Sequence, residues 1–520
     1  MMRGQGGCHG TMGAVAAADA PSSSPHAGAT GGDELKEACG VFAIYGPSLP
    51  VAQLCYLGLF ALQHRGQEAA GMAVSDGETL TVVKDQGLVA SVFDDRTLGG
   101  LQGHLAIGHC RYSTTGSSTW RNAQPSYRSV GDHEFALGHN GNLVNTERLA
   151  KEAGMLEGTV TSDSDLVAEL IATELRTAPL EQAVTTVVRH LEGAFSLVLT
   201  DEHRVLGVRD PHGFRPLCLG RLGPADGPAE GWVLASESPA LDIVGATFVR
   251  EVEPGEVVVV DEDGPRSIYP WASDEVDPRL CLFEFVYFAR PDTRLYGRSV
   301  HQARIHMGEQ LATQAPVEAD MVMGVPESGV PAAEGFAHRS GIVLGQGLVK
   351  NRYIGRSFIA PTQELRARAV RMKLNPLKEN IAGKRLVVID DSIVRGTTQR
   401  ALVRMLREAG ATEVHLRISS PPVMWSCFYG IDTGERSELI AHRFDVDAIR
   451  QDLDADTLAY LDLDRLVAAT GAPEAGYCDA CFTGTYPVEV PVSLRKHVLE
   501  GNEQPFSEAV VQPALLDEAP

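Results

Sequence analysis

The chain has 520 residues, of which 44% are hydrophobic and 22% charged, and its net charge is -23. This length exceeds what one hydrophobic core supports, so we expect a globular enzyme of two domains. The acidic balance argues against a general nucleic-acid or membrane-surface binder. No run approaches the ~18 apolar residues of a membrane span, and no signal-peptide core is present, which predicts a cytoplasmic protein with reduced cysteines.

The first 38 residues are rich in Gly, Ala, Ser and Pro, which predicts a disordered leader or propeptide. Patterning begins at Cys39 with an apolar strand, and an amphipathic helix then leads into a second strand. Two helices are predicted in DSDLVAELIATELR and PLEQAVTTVVRHLEG. Further strands are predicted in ETLTVVK, LAIGHCRYS, HEFALGHNG, AFSLVLT, RVLGVRD, GWVLASE and GEVVVVD. This mixture favours an α+β domain of stacked sheets with flanking helices over residues 39–262.

A polar, turn-rich stretch follows at residues 261–278 and is interpreted as a linker. Beyond it, helical segments alternate with short apolar strands, as in ARIHMGEQLATQ, MVMGVP, VPAAEGFAHRSG, KRLVVIDD and TEVHLRISSPP. Such alternation predicts an α/β domain over residues 280–490, with a parallel sheet covered by helices on both faces. Residues 491–520 are assigned to a C-terminal tail.

The segment RLVVIDDSIVRGTT carries the most specific motif of the second domain. Asp390 and Asp391 end a buried strand, at the sheet edge where ligands bind in open α/β folds. Gly396 permits a tight turn, and Thr397 and Thr398 then begin a helix whose amides can cradle a phosphate. Adjacent carboxylates suit ribose hydroxyls or Mg²⁺. The alternative is that these residues only cap the helix.

A basic segment precedes this motif and contains one acid, Glu364. A local excess of positive charge in an acidic protein suits a pyrophosphate substrate, although a solvated surface loop is the alternative. The basic residues are Arg352, Arg356, Arg366, Arg368, Arg371 and Lys373.

The acidic and threonine motif resembles the phosphoribosyl-pyrophosphate loop of type I phosphoribosyltransferases. The resemblance implies that Asp390 and Asp391 hold ribose and metal, and that Ser328 completes a Mg²⁺ site with them. It also implies that the 5-phosphate is bound by Arg395, Gly396, Thr397 and Thr398.

Several motifs of the first domain could each be dismissed as turn chemistry or, for Cys39, as a core residue. Arg111 lies in GHCRYST, Asn140 and Gly141 lie in HNGNL, and Asp163 lies in TSDSD. Together, and in this order, they resemble the N-terminal-nucleophile glutamine amidotransferases.

That resemblance implies a separate role for each of these residues in the hydrolysis of a carboxamide. Cys39 would be the nucleophile, since cysteine is intrinsically the strongest available near neutral pH. After leader removal its α-amine, with a reference pKa of about 7.7–8.0, would serve as the base. Asn140 and Gly141 would stabilise the oxyanion, while Arg111 and Asp163 would pair with the α-carboxylate and α-ammonium of glutamine.

Four further cysteines form a candidate metal site. Cys478 and Cys481 form a C-x-x-C pair, and Cys281 and Cys427 are distant in sequence. Four thiolates could bind Zn²⁺ or a [4Fe–4S] cluster, or two cysteines could be core residues beside an unrelated pair. The remaining cysteines are interpreted as ordinary thiols: Cys8, Cys55, Cys110 and Cys218.

The contexts of these cysteines, with all the motifs above, resemble the iron–sulfur type of glutamine phosphoribosylpyrophosphate amidotransferases from Cys39 to about residue 490. The resemblance implies one Mg²⁺ and one [4Fe–4S] cluster per subunit, a homo-oligomer, usually a tetramer, and feedback inhibition by purine nucleotides. It implies that glutamine, phosphoribosyl pyrophosphate and water give 5-phosphoribosylamine, glutamate and pyrophosphate, the first step of de novo purine synthesis.

Two alternatives remain at this point. One is another amidotransferase of the same glutaminase class, which would make glucosamine phosphate or asparagine and would need a different second domain. The other is a ligand-sensing regulator with a phosphoribosyltransferase fold, which would have no use for a complete set of glutaminase residues.

Overall fold

The structure is a computed structural model that describes residues 39–112, 119–156, 158–351, 372–474 and 476–491. Two antiparallel sheets form the first half of this part, and a parallel sheet forms the centre of the second half. Among these residues, no helix combines the length and the apolar character needed to cross a membrane.

The first sheet has seven antiparallel strands, and the strand that follows Cys39 is the fourth. Side chains of this strand alternate between the two faces. Phe42 and Ile44 pack against the helix Val51–Ala61, whereas Val41 and Ala43 pack toward the second sheet. In spatial order the strands are Thr247–Glu251, Cys218–Leu222, Gly231–Ala235, Gly40–Tyr45, Leu105–Arg111, Ala69–Ser75 and Leu80–Gln86.

The second sheet has six antiparallel strands and packs face to face against the first. The helices Asp163–Glu174 and Leu180–Val188 cover its other face. The predicted stacked sheets with flanking helices are therefore confirmed. In spatial order the strands are Gly264–Ile268, Val257–Asp261, Val205–Arg209, Gly193–Thr200, His133–Leu143 and Ser126–Val130.

The strand Gly264–Ile268 lies inside the stretch that the sequence analysis interprets as a linker. It forms a hairpin with Val257–Asp261, and the pairing of Asp261 with Gly264 leaves a turn of only two residues. Gly264 has a φ of 92°, a conformation that glycine adopts without a steric penalty. The linker prediction is wrong for these five residues. A strand at the edge of a sheet is half-exposed, so it can have the polar composition that is typical of a linker.

The second half is built around four parallel strands, as predicted. The helices Val300–Gln314 and Val330–Ser340 pack on one face, and Thr397–Glu408 and Val446–Asp452 pack on the other. The carboxyl ends of neighbouring strands therefore meet at one edge, where Asp390 lies. In spatial order the strands are Met321–Gly324, Arg385–Asp390, Glu413–Ile418 and Thr457–Tyr460.

Shorter elements complete the two halves. Leu280–Cys281 pairs with Tyr477–Cys478, so the C-terminal part of the described chain returns to the beginning of the second half. Two further pairs of short strands are antiparallel, namely Arg294–Leu295 with Arg298–Ser299 and Leu348–Lys350 with Leu374–Pro376. The short helices are Val89–Val92, Asp95–Gly100, Trp120–Asn122, Thr146–Glu152, Pro239–Ile243, Glu284–Phe288, Lys378–Ile381, Arg436–Glu438, Ile440–Arg443, Leu463–Ala469 and Ala480–Thr483.

Candidate active sites

A pocket beside Cys39 brings together residues from both sheets of the first domain. It contains four of the five glutaminase residues predicted from the sequence; the fifth, Asn140, is not part of its lining. The pocket is lined by Cys39, Arg111, Tyr112, Gln124, His139, Gly141, Ser162, Asp163 and Ser164.

Cys39 precedes the strand Gly40–Tyr45, and its thiol is buried. Its Sγ donates a hydrogen bond of 3.2 Å to the carbonyl oxygen of Tyr112. Burial raises the pKa of the Cys39 thiol to about 11, although the bond to Tyr112 and the charge of Arg111 oppose this shift. The thiol is therefore protonated at neutral pH, and a nucleophilic role requires a nearby base.

Asn140 and Gly141 lie in the strand His133–Leu143. The side chain of Asn140 is fully buried, and neither its Nδ2 nor its Oδ1 has a hydrogen-bond partner within the described part of the chain. Gly141 has a φ of 151°, and a Cβ at this position would lie 2.0 Å from the carbonyl oxygen of Ala194. Only glycine fits there, and an unpaired buried amide is costly unless a ligand uses it.

Arg111 and Asp163 supply opposite charges to the same pocket. Arg111 ends the strand Leu105–Arg111, and Asp163 begins the helix Asp163–Glu174; both side chains are buried. Burial opposes ionisation of Asp163, but the charge of His139 and hydrogen bonds from His139 and the backbone outweigh it and lower the pKa of the carboxyl. A zwitterionic amino acid matches this pair of charges.

The sequence analysis missed five residues of the pocket lining: Tyr112, Gln124, His139, Ser162 and Ser164. Gln124 donates a hydrogen bond of 2.9 Å from Nε2 to the Ser164 hydroxyl. Ser164 and His139 directly adjoin predicted site residues, so their polar character inside buried segments was the available signal. Gln124 had no such signal, because its role depends on residues 40 positions away.

Ser328, Asp390 and Asp391 come together in the second domain. Ser328 donates a hydrogen bond of 2.6 Å to Asp391, and the backbone N–H of Asp391 donates one of 3.0 Å to Asp390. Burial raises the pKa of both carboxyls, and the charge of Asp391 adds to the shift at Asp390. Two buried acids beside a hydroxyl form a set of oxygen donors of the kind that Mg²⁺ binds.

The turn after these acids leads into the helix Thr397–Glu408, which begins with Thr397 and Thr398. Gly396 has a φ of 80°, and a Cβ there would lie 2.6 Å from the side chain of Ile440. The turn therefore requires glycine, and it places backbone N–H groups at a helix N-terminus, where anions bind. Arg395 in the same turn donates a hydrogen bond of 2.7 Å to Glu438.

The basic segment lies mostly outside the described residues, which resume at Met372. Of its six basic side chains, only Lys373 falls within the described part, where its carbonyl accepts a hydrogen bond of 2.8 Å from Asn351. The role of the basic segment at the pyrophosphate stays a prediction.

The four predicted metal-ligating cysteines lie near one another and form no disulfide. Cys281 and Cys478 occupy paired positions of two short strands, and each of the four thiols interacts electrostatically with the other three. Burial raises the pKa of all four, that of Cys281 to about 11. Within the described residues, no three His, Cys, Asp or Glu side chains are close enough to hold one metal ion.

A buried network of charges connects the two domains. Arg65 donates to the carbonyl of Cys39 and pairs with Glu237 and, at 2.6 Å, with Glu284. Arg215 also pairs with Glu284, at 3.1 Å, and donates to the carbonyl of Tyr429 at 2.6 Å. Two arginines and two glutamates balance one another, which offsets the cost of burying each charge.

Two protein-family models match the chain, one in each half. The model of a glutamine amidotransferase domain matches residues 109–242, and that of a phosphoribosyl transferase domain matches residues 298–419. The amidophosphoribosyltransferase of Mycobacterium tuberculosis is 54% identical over 480 residues, which are 89% of each chain. The chain belongs to the amidophosphoribosyltransferase family.

Other members of this family show similar coverage. The amidophosphoribosyltransferase of Synechocystis is 49% identical over 92% of this chain and 96% of its own. A solved glutamine phosphoribosylpyrophosphate amidotransferase of Bacillus subtilis, in complex with ADP and GMP, matches with a TM-score of 0.80 and 44% identity, covering 89% of this chain and 99% of that one. The predicted pairing of the two folds is thereby confirmed.

Proposed function

We infer that this chain is a glutamine-dependent amidophosphoribosyltransferase that catalyses the first step of de novo purine synthesis. It hydrolyses glutamine and transfers the ammonia to phosphoribosyl pyrophosphate, which gives 5-phosphoribosylamine, glutamate and pyrophosphate. The observation that carries this inference is that one chain holds both an amino-acid pocket at a cysteine and an acid–threonine loop at a parallel sheet edge. The test is release of glutamate and pyrophosphate in equal amounts from the two substrates.

We propose that the first pocket positions glutamine by its charged end. Arg111 pairs with the α-carboxylate and Asp163 with the α-ammonium, so the carboxamide reaches Cys39. The Cys39 thiol attacks the carboxamide carbon, and the Asn140 side chain and Gly141 N–H stabilise the oxyanion; one such donor is typically worth about 2.7–4 kcal/mol. Ammonia leaves, and water then resolves the thioester to glutamate.

We also propose that residues 1–38 are removed, so that the α-amine of Cys39 takes the thiol proton. The buried thiol, with its pKa raised to about 11, needs such a base. Intact mass of the purified active enzyme measures the start of the chain. Full activity in a protein that retains Met1 would contradict the amine as base.

In the second domain, Ser328, Asp390 and Asp391 would hold Mg²⁺ through oxygen donors, and the acids would also bind ribose. Residues 395–398 would bind the 5-phosphate at the helix N-terminus. When bound, the ion would neutralise charge on the departing pyrophosphate. The two alternative functions each leave one site without a use: an amidotransferase that makes glucosamine phosphate or asparagine would not need the phosphoribosyl loop, and a ligand-sensing regulator would not need the glutaminase residues.

We propose that four cysteines bind one [4Fe–4S] cluster, namely Cys281, Cys427, Cys478 and Cys481. They are free, nearly enclosed and mutually close, which suits thiolate ligation. The resemblance of their sequence contexts to the iron–sulfur type of the family favours a cluster over Zn²⁺, and the cluster would supply structural or regulatory support.

Iron analysis tests the cluster. Anaerobically purified protein is expected to contain about four iron and four sulfide per chain, as this cluster type requires. Cys478→Ser should lose iron and impair folding more than turnover, because metal binding and folding are coupled. The control Cys218→Ala changes a buried cysteine outside the group and should retain iron. Stoichiometric zinc without sulfide would contradict the proposal.

Two further properties are proposed from the family. Purine nucleotides would act as feedback inhibitors, which is supported by the ADP and GMP bound to the Bacillus subtilis relative. A homo-oligomer, most simply a tetramer, and a cytoplasmic location remain predictions; light scattering of the purified protein measures the first, and a monomer would contradict it.

A further inference from the structure

The imidazole of His139 lines the pocket beside Cys39. The residue is 2% exposed and belongs to the strand His133–Leu143. Its Nδ1 is 3.5 Å from Oδ2 of Asp163, and its Nε2 is 3.3 Å from the carbonyl oxygen of Ala194. One ring therefore contacts both the acid proposed to bind the α-ammonium and the strand beneath the proposed oxyanion site.

On the side of the proposed oxyanion site, the His139 ring contacts the backbone of Ala194, which lies beside Gly141. A Cβ at Gly141 would lie 2.0 Å from the carbonyl oxygen of Ala194 and 2.9 Å from Nε2 of His139. A carbonyl oxygen can only accept, so Nε2 carries a hydrogen and donates it. This bond fixes the His139 ring against the Ala194 carbonyl, and both groups lie directly beside Gly141.

On the ammonium side, Nδ1 of His139 faces Asp163 and is also 3.3 Å from the hydroxyl of Ser164. The Ser164 backbone N–H donates a hydrogen bond of 2.8 Å to Asp163. Gln124, which bonds to the Ser164 hydroxyl, also accepts a hydrogen bond of 2.7 Å from the backbone N–H of His139. Ring, carboxylate and hydroxyl therefore form one buried cluster.

The backbone of His139 is fixed from a second direction by His109. The Nε2 of His109 lies 2.9 Å from the carbonyl oxygen of His139 and must donate to it. Burial lowers the pKa of His109 to about 3, so this donor is a neutral imidazole throughout the physiological pH range. The backbone that carries the His139 ring is therefore held in place by this hydrogen bond.

We propose that His139 is a positioning residue that fixes the Asp163 carboxylate relative to the Gly141 backbone, so that both ends of glutamine are held in register with Cys39. This inference rests on the roles proposed for Asp163 and Gly141. A displaced Asp163 would weaken binding of the α-ammonium, whereas a displaced Gly141 N–H would slow the chemical step, because that step depends on alignment of the reacting atoms.

Two substitutions separate the two contacts. Asparagine carries an amide nitrogen on Cγ, as histidine carries Nδ1, whereas glutamine carries it one carbon further, at a reach similar to Nε2. His139→Gln keeps a donor for Ala194 and loses the contact with Asp163, so KM for glutamine should rise about tenfold with little change in kcat. His139→Asn keeps a donor for Asp163, so kcat for glutamine hydrolysis should fall about tenfold with little change in KM.

Three measurements complete the test. Synthesis from ammonium reports folding, and His190→Gln, at an exposed histidine of the same domain, is the matched control. Asp163→Asn should raise KM for glutamine; if it does not, the role proposed for Asp163 fails, and this outcome is distinct from failure of His139. If Asp163→Asn raises KM but the two His139 variants shift KM and kcat alike, change neither, or both lose ammonium-dependent synthesis, His139 is merely structural and the proposal is overturned.

Discussion

Replacement of Cys39 by alanine is expected to abolish glutamine-dependent synthesis of 5-phosphoribosylamine, with a fall of at least about 10³-fold. Synthesis from ammonium at alkaline pH should persist, because free ammonia then reaches the second domain without the thiol. Product formation is measured with each nitrogen source in turn. Cys110→Ala, which changes a buried cysteine outside the pocket lining, is the control and should retain both activities.

Which of the two activities is lost in Cys39→Ala decides whether the chain has one active site or two. Loss of both activities in a folded Cys39→Ala protein would mean that the thiol serves the phosphoribosyl step as well. Retention of glutamine-dependent synthesis would remove Cys39 as the nucleophile. Only selective loss is consistent with a glutaminase that supplies ammonia to a separate domain.

The double substitution Asp390→Asn with Asp391→Asn is expected to have the opposite pattern. Both nitrogen sources should fail, with a fall of about 10³-fold, because the proposed Mg²⁺ and the ribose would lose their carboxylate ligands. Glutamine hydrolysis should survive, since these acids lie in the parallel sheet domain. Asp464→Asn, at an exposed acid of the same domain, is the control and should keep full synthesis.

Ammonium-dependent synthesis in the double variant is the informative quantity. If it stays at the wild-type rate, then residues 390–398 do no more than cap the helix Thr397–Glu408, and the phosphoribosyl substrate is wrongly assigned. If glutamine hydrolysis is lost as well, the two sites are coupled through the buried charges at Glu284 rather than independent.

Local pattern was sufficient for most of the fold. The apolar runs before Asp390 and after Cys39 predicted strands where the structure has them. The strand Gly264–Ile268 was mistaken for linker, and Thr457–Tyr460 was not predicted, because each is short and only partly buried. Such strands are defined by the neighbour with which they pair, which sequence periodicity does not reveal.

The same distinction applies to the site residues, since local motifs were identified from the sequence and long-range contacts were not. Residues in compact motifs, such as Cys39 and Asp163, were found because the motifs, taken together and in order, resemble those of a known enzyme class. The contact of Arg65 with Glu284 joins residues 219 positions apart, and that of Gln124 with Ser164 joins residues 40 apart. Contacts of this kind follow from strand register and domain packing, so they became visible only in three dimensions.

Transfer of the amide nitrogen is the most direct test of the account. Wild-type enzyme is given glutamine with a heavy-nitrogen label in its amide, phosphoribosyl pyrophosphate, and unlabelled ammonium at neutral pH. The account predicts labelled 5-phosphoribosylamine, with glutamate and pyrophosphate formed in equal amounts. Unlabelled product, or glutamate formed without a matching amount of pyrophosphate, would contradict it.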